Sequence, residues 1–140
     1  NLDDRQFKKA VLVLTTGMNI FLFISYVWPT GLDFRESIVY DLHTLSGNLL
    51  KFVQTVDTPK SVFPSMHVYV TLVLQYTLEM QKKLVPAWGI WVGRVLAVLI
   101  VLSTMFTKQH SAVDVTAAIV MFAVLALAAE KLVKEPKEGN

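Results

Sequence analysis

His110 and Asp114 stand four residues apart, and that spacing is the chain's first candidate for chemistry. If residues 110–114 are helical, the two side chains share a face, and the carboxylate can hold one imidazole nitrogen by a hydrogen bond. The other nitrogen is then oriented to act as nucleophile or base. The surrounding stretch, Ser103-Thr104-Met105-Phe106-Thr107-Lys108-Gln109-His110-Ser111-Ala112-Val113-Asp114, equally suits a capped helix start at a membrane boundary, where polar residues collect. A second cluster, Phe63-Pro64-Ser65-Met66-His67, immediately precedes another apolar run. Proline is tolerated in the first turn of a helix, and Ser65 is suited to cap the N–H groups left open there. Such a helix N-terminus is a prepared anion site, and His67 adds a titratable donor beside it. Read plainly, the same residues are a helix start with an interfacial histidine. Arg35 has two readings as well. It either pairs with lipid headgroups or, through the planar fork of its guanidinium, clamps a phosphate.

The elements that must position these residues are apolar runs. With 54% hydrophobic residues and a mean hydropathy of +0.50, the chain is too apolar for an ordinary water-soluble domain of its length. Ala10 to Trp28 carries no charge, Trp88 to Phe106 carries Arg94 alone, and Ala112 to Ala129 carries Asp114 alone. Each approaches the ~20 residues that cross a bilayer. Val68 to Leu84 is interrupted by Gln75, Glu79, Lys82 and Lys83, but starting it at Ser65 gives a fourth span suited to the bundle interior. The expected fold is all-α: an integral, multi-pass membrane bundle of four transmembrane helices.

Basic residues set the expected orientation. Arg5, Lys8 and Lys9 precede the first span, Lys82 and Lys83 separate the second and third, and Lys131, Lys134 and Lys137 follow the fourth. With four spans all three groups share one side, the cytoplasmic one by the positive-inside bias, and both termini lie there. The other face receives Arg35, Ser65-Met66-His67 and Lys108-Gln109-His110 with Asp114, from three distant parts of the sequence. A net charge of +2 gives no reason to expect nucleic acid as a partner, and the absence of cysteine excludes disulfides and thiolate chemistry.

Along the chain, residues 1–9 read as a polar cytoplasmic lead-in, 10–133 as the membrane domain and 134–140 as a disordered tail. The first residues lack the apolar core and cleavage site of a signal peptide, as expected of a processed chain or a fragment. Between Ile38 and Val56 the apolar spacing is helical, broken at Ser46-Gly47-Asn48, which predicts one or two amphipathic helices at the interface or over the bundle mouth. His43 reads as an interfacial histidine, and Asp57-Thr58-Pro59-Lys60 as a turn. Arg94 is placed to snorkel to the headgroups, and Gly89 and Gly93 to allow a close helix contact.

Pro64-Ser65-Met66-His67, together with Ser103-Thr104, His110 and Asp114 at their spacing, resembles the second and third signature motifs of the type 2 phosphatidic acid phosphatase (PAP2) superfamily. The likeness is greatest to its inositol phosphorylceramide synthase-like branch, and it covers roughly Pro29 to the end of the fourth span. Members usually have six spans, so the resemblance implies that the domain is a truncated six-helix bundle. It further implies phosphoryl transfer from a lipid phosphate among membrane lipids, without metal or other cofactor, at the non-cytoplasmic face. His110 would be the nucleophile, Asp114 would hold its tautomer, and His67 would protonate the leaving alcohol. Arg35, Lys108, Ser65 and Met66, the last through its backbone N–H, would bind the phosphate.

Three positions depart from the family pattern. Met66 stands for a glycine and Thr104 for an arginine whose charge Lys108 would replace if the helix runs that far. Arg35 is followed by Glu36 where the family has proline, and no lysine lies seven residues before it. The leading expectation is a lipid phosphatase acting on a phosphomonoester or diphosphate. Its alternatives are a phosphotransferase moving a phosphoalcohol headgroup between lipids, a metal-dependent membrane protein using His67, His110 and Asp114 as ligands, and a non-catalytic bundle. Homo-oligomerisation is left open.

Overall fold

The computed structural model describes residues 4–29, 41–56, 63–107 and 111–133, apart from the side chain of Gln54. Arg35, Lys108, His110, the 57–60 turn and the 134–140 tail therefore lie outside the described residues. The described chain is helical: α1 (Asp4–Val27), α2 (Leu45–Val56), α3 (Met66–Met80), α4 (Ala87–Phe106) and α5 (Ala112–Leu132). Three of these, α1, α4 and α5, are long and apolar enough to cross a membrane. Several of their polar side chains bond back to their own helix: Thr15 donates to the Val11 carbonyl at 2.7 Å, Asn19 to Thr15 at 2.7 Å and Thr116 to Ala112 at 2.8 Å.

Several boundaries differ from those expected. α1 begins at Asp4, so the lead-in from that residue on is helical, with the Asp4 carboxylate in the first turn where the helix dipole favours it. α3 stops at Met80, short of Leu84, and gives way to turns over residues 81–84 before Pro86 caps α4. Ser46-Gly47-Asn48 is no break; it lies in the opening turns of α2. Thr44 caps that helix by accepting from the Gly47 N–H at 3.1 Å, and its own hydroxyl donates to the Asp41 carbonyl at 2.8 Å. Gly47 is required there, because a Cβ would collide with the Asp41 carbonyl.

α3 is the hub. It packs against α1, α4 and α5, while α1 also packs on α5. Gln6 at the start of α1 donates to the Met80 carbonyl at the end of α3 (2.8 Å), and Lys9 pairs with Glu130 near the end of α5. The chain thus runs along the bundle alternately up and down through α1, α3, α4 and α5. Arg5, Lys8, Lys9, Lys82, Lys83 and Lys131 are gathered at or near one end by this course. Tyr69 of α3 is fully buried against Val13 and Gly17 of α1, and its hydroxyl donates to the Val13 carbonyl at 2.5 Å. Any side chain at Gly17 would occupy the space of the Tyr69 ring. Phe122 of α5 then meets Tyr69 and Tyr76 edge-on, with centroids 6.4 and 5.8 Å away.

The α3–α4 seam gives Arg94 a partner. Its Nε lies 2.9 Å from Glu79 Oε1, one residue before the end of α3, and its guanidinium sits 5.0 Å from the centre of the Trp91 ring. Gln75 also donates to Glu79, at 3.0 Å. Gly93 makes the close helix contact, since a Cβ there would stand 2.5 Å from Gln75 Oε1; Gly89 faces Val85 and Pro86 of its own chain turn.

Candidate functional site

At the end of the bundle opposite the basic residues, the N-termini of α3 and α5 lie side by side. The Ser65 N–H donates to the Asp114 carbonyl at 3.2 Å, joining two segments far apart in sequence. The local sequence explains both helix starts. Ser65, extended at φ −65° and ψ 108°, caps α3 by accepting from the Val68 N–H at 3.4 Å. Pro64 precedes that cap, two positions before the first helical residue, Met66. Ser111, extended at φ −81° and ψ 163°, caps α5 by accepting from the Asp114 N–H at 3.3 Å. Asp114 returns the contact: its Oδ2 accepts from the Ser111 N–H at 2.7 Å and from the Ser111 hydroxyl at 2.8 Å, completing a capping box.

This geometry sorts the sequence-derived residues. Ser65, Met66, His67 and Asp114 are brought to one place. Ser65 is completely buried and Asp114 nearly so (7% exposed), whereas Met66 is half-buried and His67, in the first turn of α3, is exposed. Residues 110–114 are not one helical turn, because Ser111 is extended and α5 begins at Ala112; the i, i+4 argument for His110 and Asp114 lacks its helical premise. The shared helical face expected of Thr104 and Lys108 loses its premise as well, because α4 ends at Phe106 with Thr107 as its cap. Thr104 is buried, and its hydroxyl donates to the Val101 carbonyl at 2.8 Å.

What the arrangement offers chemically is a concentration of positive helix ends. Two N-termini side by side direct their partial positive charge to one region; the Asp114 carboxylate already meets that of α5, and the exposed imidazole of His67 stands on the rim beside that of α3. Next to them opens an apolar groove of about 710 Å³ between α1 and α5, lined by Ile20, Ile24, Phe63, Pro64, Val113 and Val120 among others. Sequence reasoning missed this groove and, although it offered a capped helix start for this stretch, did not single out Ser111 as the cap. The pattern Ser111-Ala112-Val113-Asp114 before an apolar run carried the signal for the latter. The groove carried none, since it depends on how α1 and α5 pack. Among the described residues, no three His, Cys, Asp or Glu side chains gather closely enough to hold a metal ion.

No family model, curated protein or solved structure matches the chain.

Proposed function

We propose that the chain is a PAP2-type membrane enzyme that cleaves a lipid phosphomonoester or diphosphate through a phosphohistidine, with α3 as a fourth crossing and the site at the non-cytoplasmic face. The observation that carries this reading is the hydrogen bond from the Ser65 N–H to the Asp114 carbonyl, which sets both motif-bearing helix starts together. In this reading the His110 imidazole attacks phosphorus, the phosphorus–oxygen bond to the lipid alcohol breaks, and His67 gives that alcohol its proton. His67 then takes a proton from water, whose oxygen displaces the imidazole and releases phosphate. Arg35, Lys108 and the N–H groups at the two helix starts balance the charge on the transferring group. The Asp114 Oδ2 is used by the capping box, so the carboxylate's other oxygen is assigned to His110. The apolar groove suits the substrate's hydrocarbon chain.

A second reading, a non-catalytic bundle, is favoured by the same capping box, which gives Ser111 and Asp114 a complete structural role. Incubation of the purified chain with radiolabelled lipid phosphate in excess chelator separates the two. Free phosphate released by the native chain, and lost in His110→Ala, supports hydrolysis; label moved to a new lipid supports the transferase variant. Absence of any product, with His110→Ala behaving identically, supports the non-catalytic bundle.

A further inference from the structure

α2 is an amphipathic helix that shares no extensive packing with another helix among the described residues. The packed helix pairs are α1 with α3 and α5, and α3 with α4 and α5; α2 belongs to none of them. Leu45, Leu49, Phe52, Val53 and Val56 recur at helical spacing along one side and are all exposed, Leu45 by 78%, Phe52 by 66% and Val56 by 69%. Lys51, the one charge in the helix, falls on the opposite side. The helix is closed on itself at its start: Thr44 caps it, and Asn48 Nδ2 donates to the carbonyls of Leu42 (2.9 Å) and Thr44 (3.0 Å). These contacts fix the start of the helix, while its apolar side is left uncovered among the described residues.

We propose that α2 lies in the interfacial layer of the bilayer, its Leu45–Leu49–Phe52–Val56 side toward the acyl chains and Lys51 toward headgroups and water. Covalent reach argues for this occupant. Six residues join Val56 to Phe63, beside the start of α3, so the end of α2 stays within about 25 Å of the bundle end where Trp28 closes α1. Trp28 is 73% exposed there, as an aromatic at a membrane–water boundary would be. A helix of ~18 Å with an uncharged apolar side and a cationic opposite side is the form that lies in the plane of a membrane.

The chain has no cysteine, so single substitutions report one position each. Leu49→Cys and Phe52→Cys for the apolar side, and Lys51→Cys for the other, are labelled with an environment-sensitive fluorophore and the whole chain is reconstituted in phosphatidylcholine vesicles. Lipids carrying a nitroxide at a shallow acyl carbon should quench the probes at positions 49 and 52 several-fold more than the probe at 51, and aqueous iodide should show the reverse order. Leu45→Cys repeats the reading on the same side, so one perturbed variant does not decide it. Equal iodide quenching at all positions would overturn the proposal. Shielding of positions 45, 49 and 52 from both quenchers would overturn it too, since the cover would then be protein, either the bundle or a second copy.

Discussion

Asp114 carries two possible duties, and one substitution separates them. As the third residue of α5 it completes the capping box with Ser111, a contact whose loss costs about 1 kcal/mol. As a carboxylate it is assigned to fix and balance the His110 imidazole. Asp114→Asn keeps an oxygen that can accept from the Ser111 N–H but removes the charge. The thermal midpoint in detergent should stay close to native, while phosphate release falls by about two orders of magnitude or more. Ser111→Ala should do the opposite, lowering stability by about 1 kcal/mol with a smaller effect on turnover. If Asp114→Asn lost stability and activity in the same proportion as Ser111→Ala, the carboxylate would have no duty beyond the cap. The sequence showed the residue types here but not their geometry. His110 and Asp114 look paired by spacing, and what breaks the helical premise is Ser111, whose hydroxyl serves better outside the helix as its cap than inside it.

At the scale of elements, α3 holds the bundle together, and its contact with α1 rests on a glycine. Tyr69 lies where any Cβ at Gly17 would be, so the close approach of α1 and α3 depends on the smallest residue. Gly17→Ala should destabilise the bundle by about 1–3 kcal/mol in denaturant titration in micelles, as overpacking does. Tyr69→Phe, which gives up only the hydroxyl contact to the Val13 carbonyl, should cost about 1 kcal/mol. An unchanged midpoint for Gly17→Ala would contradict the packing described. Long uncharged runs made α1, α4 and α5 legible from the sequence, because a bilayer-crossing helix needs little beyond length and apolarity. The extent of α3 was harder to read. Gln75 and Glu79 looked like interruptions, yet Glu79 binds Arg94 across the α3–α4 seam while accepting from Gln75, a pairing that appears only when two helices are set side by side. α2 was visible as an amphipathic segment, but its single unbroken helix depends on Gly47 fitting beneath the Asp41 carbonyl.

For the whole molecule, the alternating course of α1, α3, α4 and α5 separates two ends with different chemistry. One end gathers the basic residues and the Lys9–Glu130–Tyr76 contacts, with Tyr76 donating to Glu130 at 2.6 Å. The other holds the two capped helix starts, His67 and the apolar groove. This separation was foreseeable from the sequence, because charge bias and the number of apolar runs constrain topology even where they say nothing of contacts. The groove beside Pro64 and Ala112 was not, since its walls belong to helices distant in sequence. The central claim is that the second end transfers a phosphoryl group through His110, and trapping the intermediate tests it most directly. The native chain, incubated briefly with lipid phosphate labelled on phosphorus and quenched in alkaline denaturant, should carry an acid-labile label. His67→Ala should retain that label, accumulating it if His67 serves mainly to activate water, and His110→Ala should lose it. Label that persists in His110→Ala, or that never forms in a native chain which nonetheless releases phosphate, would contradict the account.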